Sequence, residues 1–123
     1  MRLKHFRREL VPVLLDAEPN AHVSGPGWAE LVGDRSRGDW IDQSKVNAVY
    51  NRSRAVVSID AHDGAGYTST RTIEAMCGGH CVLVYDHAGM AFLKRWVVDG
   101  EHAFFFDSVE KFRDRLSWVR QNP

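Results

Sequence analysis

The sequence predicts an α/β domain with a parallel sheet of about four to five strands flanked by helices. Its 123 residues, 44% of them hydrophobic and 26% charged, suit one globular domain. From about Ser44 onward, short β-branched or aromatic runs alternate with segments of helical periodicity. Such alternation builds crossovers between parallel strands and places helices on both faces of the sheet. We therefore expect a single domain over residues 1–123.

The first residues predict a peripheral N-terminal helix over 1–18. Five apolar residues fall on one face of this helix: Leu3, Phe6, Leu10, Val13 and Leu14. Pro12 either interrupts the helix or starts a second one, because proline has no amide hydrogen for a helix interior. Beyond it, residues 21–24 predict a short strand, 28–39 mostly loop, and Trp40-Ile41 a short edge strand.

Four helices and three strands are predicted after residue 42. The first three are a helix over 44–50 capped by Asp42 or Ser44, a strand over 55–59 buried on both faces, and a helix over 70–77 closed by Gly78-Gly79. A buried strand over 81–85 follows, and then an amphipathic helix marked by Met90, Leu93, Trp96 and Val97. The last two are a strand over 103–106 and a final helix capped by Ser108. The spacing of Trp96, Trp118 and Phe104–Phe106 predicts core packing.

Charge and composition exclude several classes of protein. Lys plus Arg and Asp plus Glu both total 16, and the zero balance argues against a nucleic-acid binder. No apolar run approaches the about 20 residues that a membrane span needs, and the short stretch after the basic first residues does not predict an export signal. With only two cysteines, Cys77 and Cys81, a cytoplasmic protein with reduced thiols is expected.

Two loops at the carboxyl ends of predicted strands are candidate ligand sites, namely 60–69 and 86–89. The first loop contains Gly64 and Gly66 and leads into the helix over 70–77. Its small residues would let an anion approach the free amides of Tyr67, Thr68, Ser69, Thr70 and Arg71, and Arg71 adds a cation. Phosphate or diphosphate is the expected ligand. An ordinary capped helix preceded by a glycine-containing loop is the alternative.

Glu74 lies one turn into the same predicted helix. A carboxylate at this position could accept hydrogen bonds from two vicinal ribose hydroxyls, as acidic residues do in nucleotide-binding folds. The alternative is an acid that serves only to stabilise the helix dipole.

Three segments together resemble a known family: 50–59, 70–79 and 81–86. An apolar strand, a loop, the run Arg-Thr-Ile-Glu-Ala-Met-Cys-Gly-Gly and a second strand are similar to the carboxyl-terminal domain of GT-B glycosyltransferases. The likeness is to the group-1-like domain also found in spore-maturation-type proteins, and it covers about residue 23 to the last residue. It implies a Rossmann-like half of a GT-B fold that binds the nucleotide diphosphate of a sugar donor. By position, Glu74 matches the ribose-binding acid and the amides of 67–71 match the diphosphate cradle.

The chain departs from this family pattern in three respects. Many retaining members carry a glutamate eight positions before the ribose-binding one, but Gly66 stands there. The basic residue expected after the first strand is missing from Gly25-Pro26-Gly27-Trp28, although Arg54 or Arg71 could replace it. Finally, the family uses a second domain for the acceptor, so we expect a separate acceptor-domain subunit. The chain would then be a natural half of a split enzyme, a truncated piece, or a remnant of phage or bacterial origin.

His62 is the remaining candidate for a ligand contact, since it follows a predicted strand and could donate a hydrogen bond to a phosphate oxygen. Together with Asp60 and Asp63 it also allows a weaker interpretation as a metal-dependent phosphohydrolase. The run Cys77-Gly-Gly-His-Cys81 superficially suggests zinc, but the spacing is too tight for paired ligands. No metal and no cofactor are expected.

The function predicted from the sequence is recognition of a nucleotide-diphosphate sugar within a glycosyl transfer reaction. The alternative is a non-catalytic nucleotide-binding or interaction module derived from a glycosyltransferase, which Gly66 favours. We also expect an exposed apolar patch containing Trp28, Tyr67 and Met90, and with it a homodimer or a complex with an acceptor-domain protein.

Overall fold

A computed structural model describes residues 2–24, 28–38, 42–59, 70–86, 88–91 and 93–122. Its contacts divide the chain into two units, Met1–Ala48 and Val49–Pro123. None of the helices within the described ranges has the length and apolarity needed to cross a membrane.

The first unit begins with helix α1, Arg2–Ala17, which runs through Pro12 without a break. The predicted helix is therefore confirmed, and the predicted interruption at Pro12 is wrong. Its buried side chains are Leu10, Val11 and Leu15, and the last two pack with Val23 and Val32. Burial of this apolar face stabilises the helix even though Pro12 leaves one helical hydrogen bond unmade.

The remainder of the first unit differs from the prediction. Residues 21–24 form no strand, although Val23 is buried in the small core and Ala21 packs against it; the Val23 carbonyl oxygen accepts a hydrogen bond from the Arg37 amide at 2.7 Å. Part of the predicted loop is helical: α2 spans Trp28–Val32 and a 3₁₀ turn spans Gly33–Arg35. The predicted edge strand at 40–41 lies outside the described residues.

The second unit contains a parallel sheet of three described strands in the order β1-β2-β3. β1 spans Val56–Ser58, β2 Val82–Tyr85 and β3 Phe104–Phe106. Ser58 pairs with Val84, which in turn pairs with Phe105. The three predicted strands and their parallel direction are confirmed, but the described sheet is smaller than the four to five strands expected.

Burial in the sheet follows the position of each strand. The central strand β2 is buried from Val82 to Val84, as predicted. β1 is only half-buried throughout, so the expectation that it is buried on both faces is wrong. Since β1 has a neighbour on one side only among the described strands, its side chains have fewer groups to pack against.

Two predicted helices are confirmed together with their caps. α3 spans Gln43–Arg52, and an Asp42 carboxylate oxygen accepts a hydrogen bond from the Ser44 amide at 3.0 Å, which makes Asp42 the cap. This bond, together with one from the Ser44 hydroxyl, lowers the pKa of Asp42. α5 spans Val109–Gln121, and the Ser108 hydroxyl accepts from the Lys111 amide at 3.1 Å. Both helices thus begin with an N-cap side chain.

The amphipathic helix predicted around Met90 is not formed. Two 3₁₀ segments replace it, Ala88–Ala91 and Leu93–Arg95. The predicted burial of Met90, Leu93 and Val97 is nevertheless correct, since all three join the core formed by β2, β3 and Ala75. Trp96 instead points outward with 72% of its surface exposed, so its predicted core role is wrong.

Helices α4 and α5 complete the second unit. α4 spans Thr70–Cys77, as predicted, and packs against β1 and β2, whereas α5 packs against β3. α4 ends in a Schellman turn: the His80 amide donates to the Ala75 carbonyl at 3.2 Å, and the Gly79 amide to the Met76 carbonyl at 3.1 Å. Gly79 adopts φ +78°, which explains the glycine predicted to close this helix.

Candidate functional site

The carboxyl ends of the three parallel strands define one edge of the sheet, which we call the carboxyl edge. It comprises Ser58 at the end of β1, Asp86 immediately after β2, and Phe106 at the end of β3. The Asp86 amide donates to the Phe106 carbonyl at 2.7 Å, which extends the pairing of β2 with β3 by one residue. In open α/β sheets this edge is where ligands bind.

The predicted site residues fall into two groups. His62, Gly66, Tyr67, Thr68 and Ser69 lie outside the described residues, as do Asp60 and Asp63. Thr70 and Arg71 are the first two residues of α4, and Glu74 is the fifth. The structure thus confirms that a helix begins at Thr70, while the contacts of the predicted diphosphate cradle remain a prediction.

Buried and exposed side chains alternate along α4. Thr72 and Ala75 are completely buried, whereas Ile73, Glu74 and Cys77 are exposed. Glu74 therefore presents its carboxylate to solvent on a helix that follows β1. Because Glu74 lies beyond the first turn, the helix dipole stabilises it only weakly, which weakens the alternative interpretation of this acid.

A hydroxyl pair connects α4 to the carboxyl edge. The Ser58 and Thr72 side-chain oxygens lie 2.5 Å apart, within hydrogen-bonding distance. Thr72 is fully buried and Ser58 is half-buried. The pair therefore joins the last residue of β1 to the first turn of α4.

The structure also reveals an ion pair at the carboxyl edge to which the sequence analysis assigned no role. The Lys94 ammonium pairs with the Asp86 carboxylate and lies 5.2 Å from the centre of the Phe105 ring. Both side chains remain accessible, with 43% of Lys94 and 26% of Asp86 exposed. In the sequence, the position of Asp86 directly after a buried strand was the available sign of this site. That pattern predicted a ligand site in loop 86–89 but did not identify the ion pair. The pair places both signs of charge where a polar ligand could reach them.

An open cavity of about 600 Å³ lies at the opposite, amino-terminal edge of the sheet. It is lined by Arg54, residues 79–82, residues 100–104 and the last turn of α5. Within it the Phe104 and Trp118 rings contact each other in a tilted arrangement, with their centres 4.7 Å apart. Since these residues surround the starts of β2 and β3, the cavity is separate from the carboxyl edge.

The two cysteines occupy different environments. Cys77 ends α4 and is exposed, whereas Cys81 precedes β2 and is half-buried, so that burial raises the pKa of its thiol. Both thiols are free. Within the described ranges, no three His, Cys, Asp or Glu side chains are grouped so that they could hold a metal ion.

The fold and the carboxyl edge define an α/β domain in which helices follow parallel strands and polar groups collect at the strand ends. The family described as glycosyl transferase-like matches residues 4–123, and the chain belongs to this family. The match confirms the resemblance to a group-1-like glycosyltransferase domain. No curated protein and no solved structure matches the chain.

Proposed function

We propose that the chain is the donor-binding domain of a GT-B glycosyltransferase and recognises a nucleotide-diphosphate sugar. The observation that carries this proposal is the exposed Glu74 carboxylate, one turn into the helix that follows β1. Membership of the glycosyl transferase-like family supports the same conclusion. Glu74 belongs to the run 71–79, which is also the segment most similar to the donor-binding domains.

In this proposal each group near the start of α4 has one task. Glu74 accepts hydrogen bonds from the two ribose hydroxyls of the nucleotide. The amides of residues 67–71, the helix dipole and the Arg71 guanidinium stabilise the charge that develops on the departing diphosphate. His62 donates a hydrogen bond to a phosphate oxygen. These residues bind the donor, and the proposal assigns none of them as a catalytic base.

Glycosyl transfer then requires an acceptor site, which we assign to a second, acceptor-binding domain. The second candidate function is a non-catalytic nucleotide-binding or interaction module, which Gly66 favours because it replaces the glutamate expected near the donor sugar. A donor-binding domain and a non-catalytic nucleotide-binding module predict the same nucleotide binding, whereas an interaction module predicts none. The first two differ in whether adding an acceptor domain produces sugar transfer.

Nucleotide binding is tested by titration calorimetry with uridine and guanosine diphosphate. We expect dissociation constants in the micromolar to millimolar range, or roughly −8 to −4 kcal/mol. Adenosine diphosphate is the matched ligand that measures base preference. Free uridine, which lacks the diphosphate, measures the contribution of the diphosphate to affinity. The absence of heat with every nucleoside diphosphate at millimolar concentration would overturn the proposal.

A further inference from the structure

The hydroxyl pair formed by Ser58 and Thr72 spans two elements that are distant in sequence. Ser58 ends β1 and Thr72 is the third residue of α4, so the two bonded residues lie 14 positions apart in the chain. Their oxygen atoms lie 2.5 Å apart, and Thr72 has no exposed surface. The hydrogen bond thus joins the end of β1 directly to the first turn of α4.

The choice of a threonine at position 72 is informative. Valine has nearly the same shape, and a buried hydroxyl costs free energy unless it is hydrogen-bonded. Thr72 is the only polar residue among the fully buried side chains of the described residues. Its next buried neighbour on the same helix, Ala75, is apolar and packs in the core of the second unit. The hydroxyl therefore has a directional role that hydrophobic packing alone does not require.

We propose that Ser58 and Thr72 are positioning residues, which hold the first turn of α4 in a fixed orientation at the carboxyl edge so that the nucleotide diphosphate binds a preorganised helix. This inference rests on the proposed function, since it names residues that act through α4 rather than on the ligand. Neither hydroxyl needs to touch the nucleotide. Preorganisation matters because each group that must be ordered on binding reduces affinity.

The test compares Thr72→Val, Thr72→Ser and Ser58→Ala with the unaltered protein in two measurements. The first is amide hydrogen exchange in α4 without ligand, and the second is uridine diphosphate affinity at a temperature where every variant is folded. Thr72→Val should speed exchange in α4 and weaken uridine diphosphate binding by roughly three- to tenfold each, about the value of one net hydrogen bond. Ser58→Ala should act in the same direction, and Thr72→Ser should restore both values.

Ser108→Ala is the matched control, because it removes a serine hydrogen bond from the start of α5 instead of α4. It should lower stability while leaving exchange in α4 and nucleotide affinity unchanged, which separates positioning from general destabilisation. Unchanged α4 exchange in Thr72→Val would overturn the inference, and so would faster exchange with unchanged affinity. If the unaltered protein binds no nucleoside diphosphate, uridine and guanosine diphosphate included, the proposed function and the ligand-positioning role both fail. The exchange data would then still show whether the pair holds α4.

Discussion

The environment of Glu74 makes it the most informative single residue for function. Its carboxylate is exposed, although its neighbours on α4, Thr72 and Ala75, are completely buried. Nothing in the packing of the helix requires an acid at this position, because glutamine has a similar size and helix propensity. A functional role and a structural role for Glu74 therefore predict different results for one conservative substitution.

Glu74→Gln should weaken uridine diphosphate binding by about 1–3 kcal/mol, because charge-assisted hydrogen bonds to the ribose hydroxyls become neutral ones. Folding should be almost unaffected. Glu110→Gln is the control, since Glu110 is an exposed acid in the first turn of α5. Calorimetry and thermal unfolding of both variants provide the check. Equal affinity of Glu74→Gln and the unaltered protein would make Glu74 a structural residue.

At the scale of the elements, two side chains satisfy the outer edge of β3. An Asp99 carboxylate oxygen accepts the Phe105 amide at 3.0 Å, and the Arg115 guanidinium donates to the Phe105 carbonyl at 3.4 Å. The same guanidinium pairs with Asp99 at 2.9 Å. These side chains thus form hydrogen bonds with backbone groups that an edge strand otherwise leaves free to pair with another strand. In the described sheet, β3 is therefore capped on the side away from β2.

Breaking this cap should destabilise the second unit. A double-mutant cycle of Asp99→Ala and Arg115→Met should give a coupling free energy of roughly 1 kcal/mol, because only 24% of the Arg115 side chain is exposed and both partners also bond to Phe105, although 43% of Asp99 is exposed. Asp16 and Arg35 form the control pair, with 76% and 42% of their side chains exposed. Their coupling should be close to zero. Urea unfolding measures both cycles, and equal couplings would show that the cap contributes no more than a surface ion pair.

The elements that the sequence predicted correctly are those with a strong local signal. β2 and β3 are continuous apolar runs, α4 ends at a closing glycine, and α5 combines an apolar face with the Ser108 cap. Around Met90 the helical spacing identified the buried residues but not the backbone conformation, because 3₁₀ and α turns can bury the same positions. The Ser58–Thr72 pair could not be predicted, since it depends on how β1 and α4 pack.

At the scale of the whole molecule, the predicted apolar patch is not confirmed. Met90 is completely buried in the core, Trp28 is half-buried against the core of the first unit, and Tyr67 lies outside the described residues. Two other apolar residues of the second unit are exposed instead: Trp96 at 72% and Val98 at 50%. Trp96 and Val98 flank the buried Val97 in the chain, and both of their side chains face solvent.

We expect the chain to self-associate or to bind an acceptor-domain protein through these exposed apolar residues. A formal net charge of zero removes the repulsion that would oppose association. Light scattering over a concentration series should show an apparent mass that rises with concentration, and Trp96→Lys should reduce this rise. Leu31→Lys, at a less exposed apolar residue of the first unit, is the control. A constant monomer mass, unchanged by an added acceptor-domain protein, would contradict this expectation.

Binding of a nucleoside diphosphate at the carboxyl edge can be observed through amide chemical shifts during a uridine diphosphate titration. We expect saturable shifts of the amides of Thr70–Glu74, Ser58 and Asp86, and a higher half-saturation concentration in Glu74→Gln. Amides of Gly100–Ala103 and Asn122 report on the cavity at the opposite edge and should not move. Shifts confined to those cavity residues, or no shifts at millimolar nucleotide, would contradict the account.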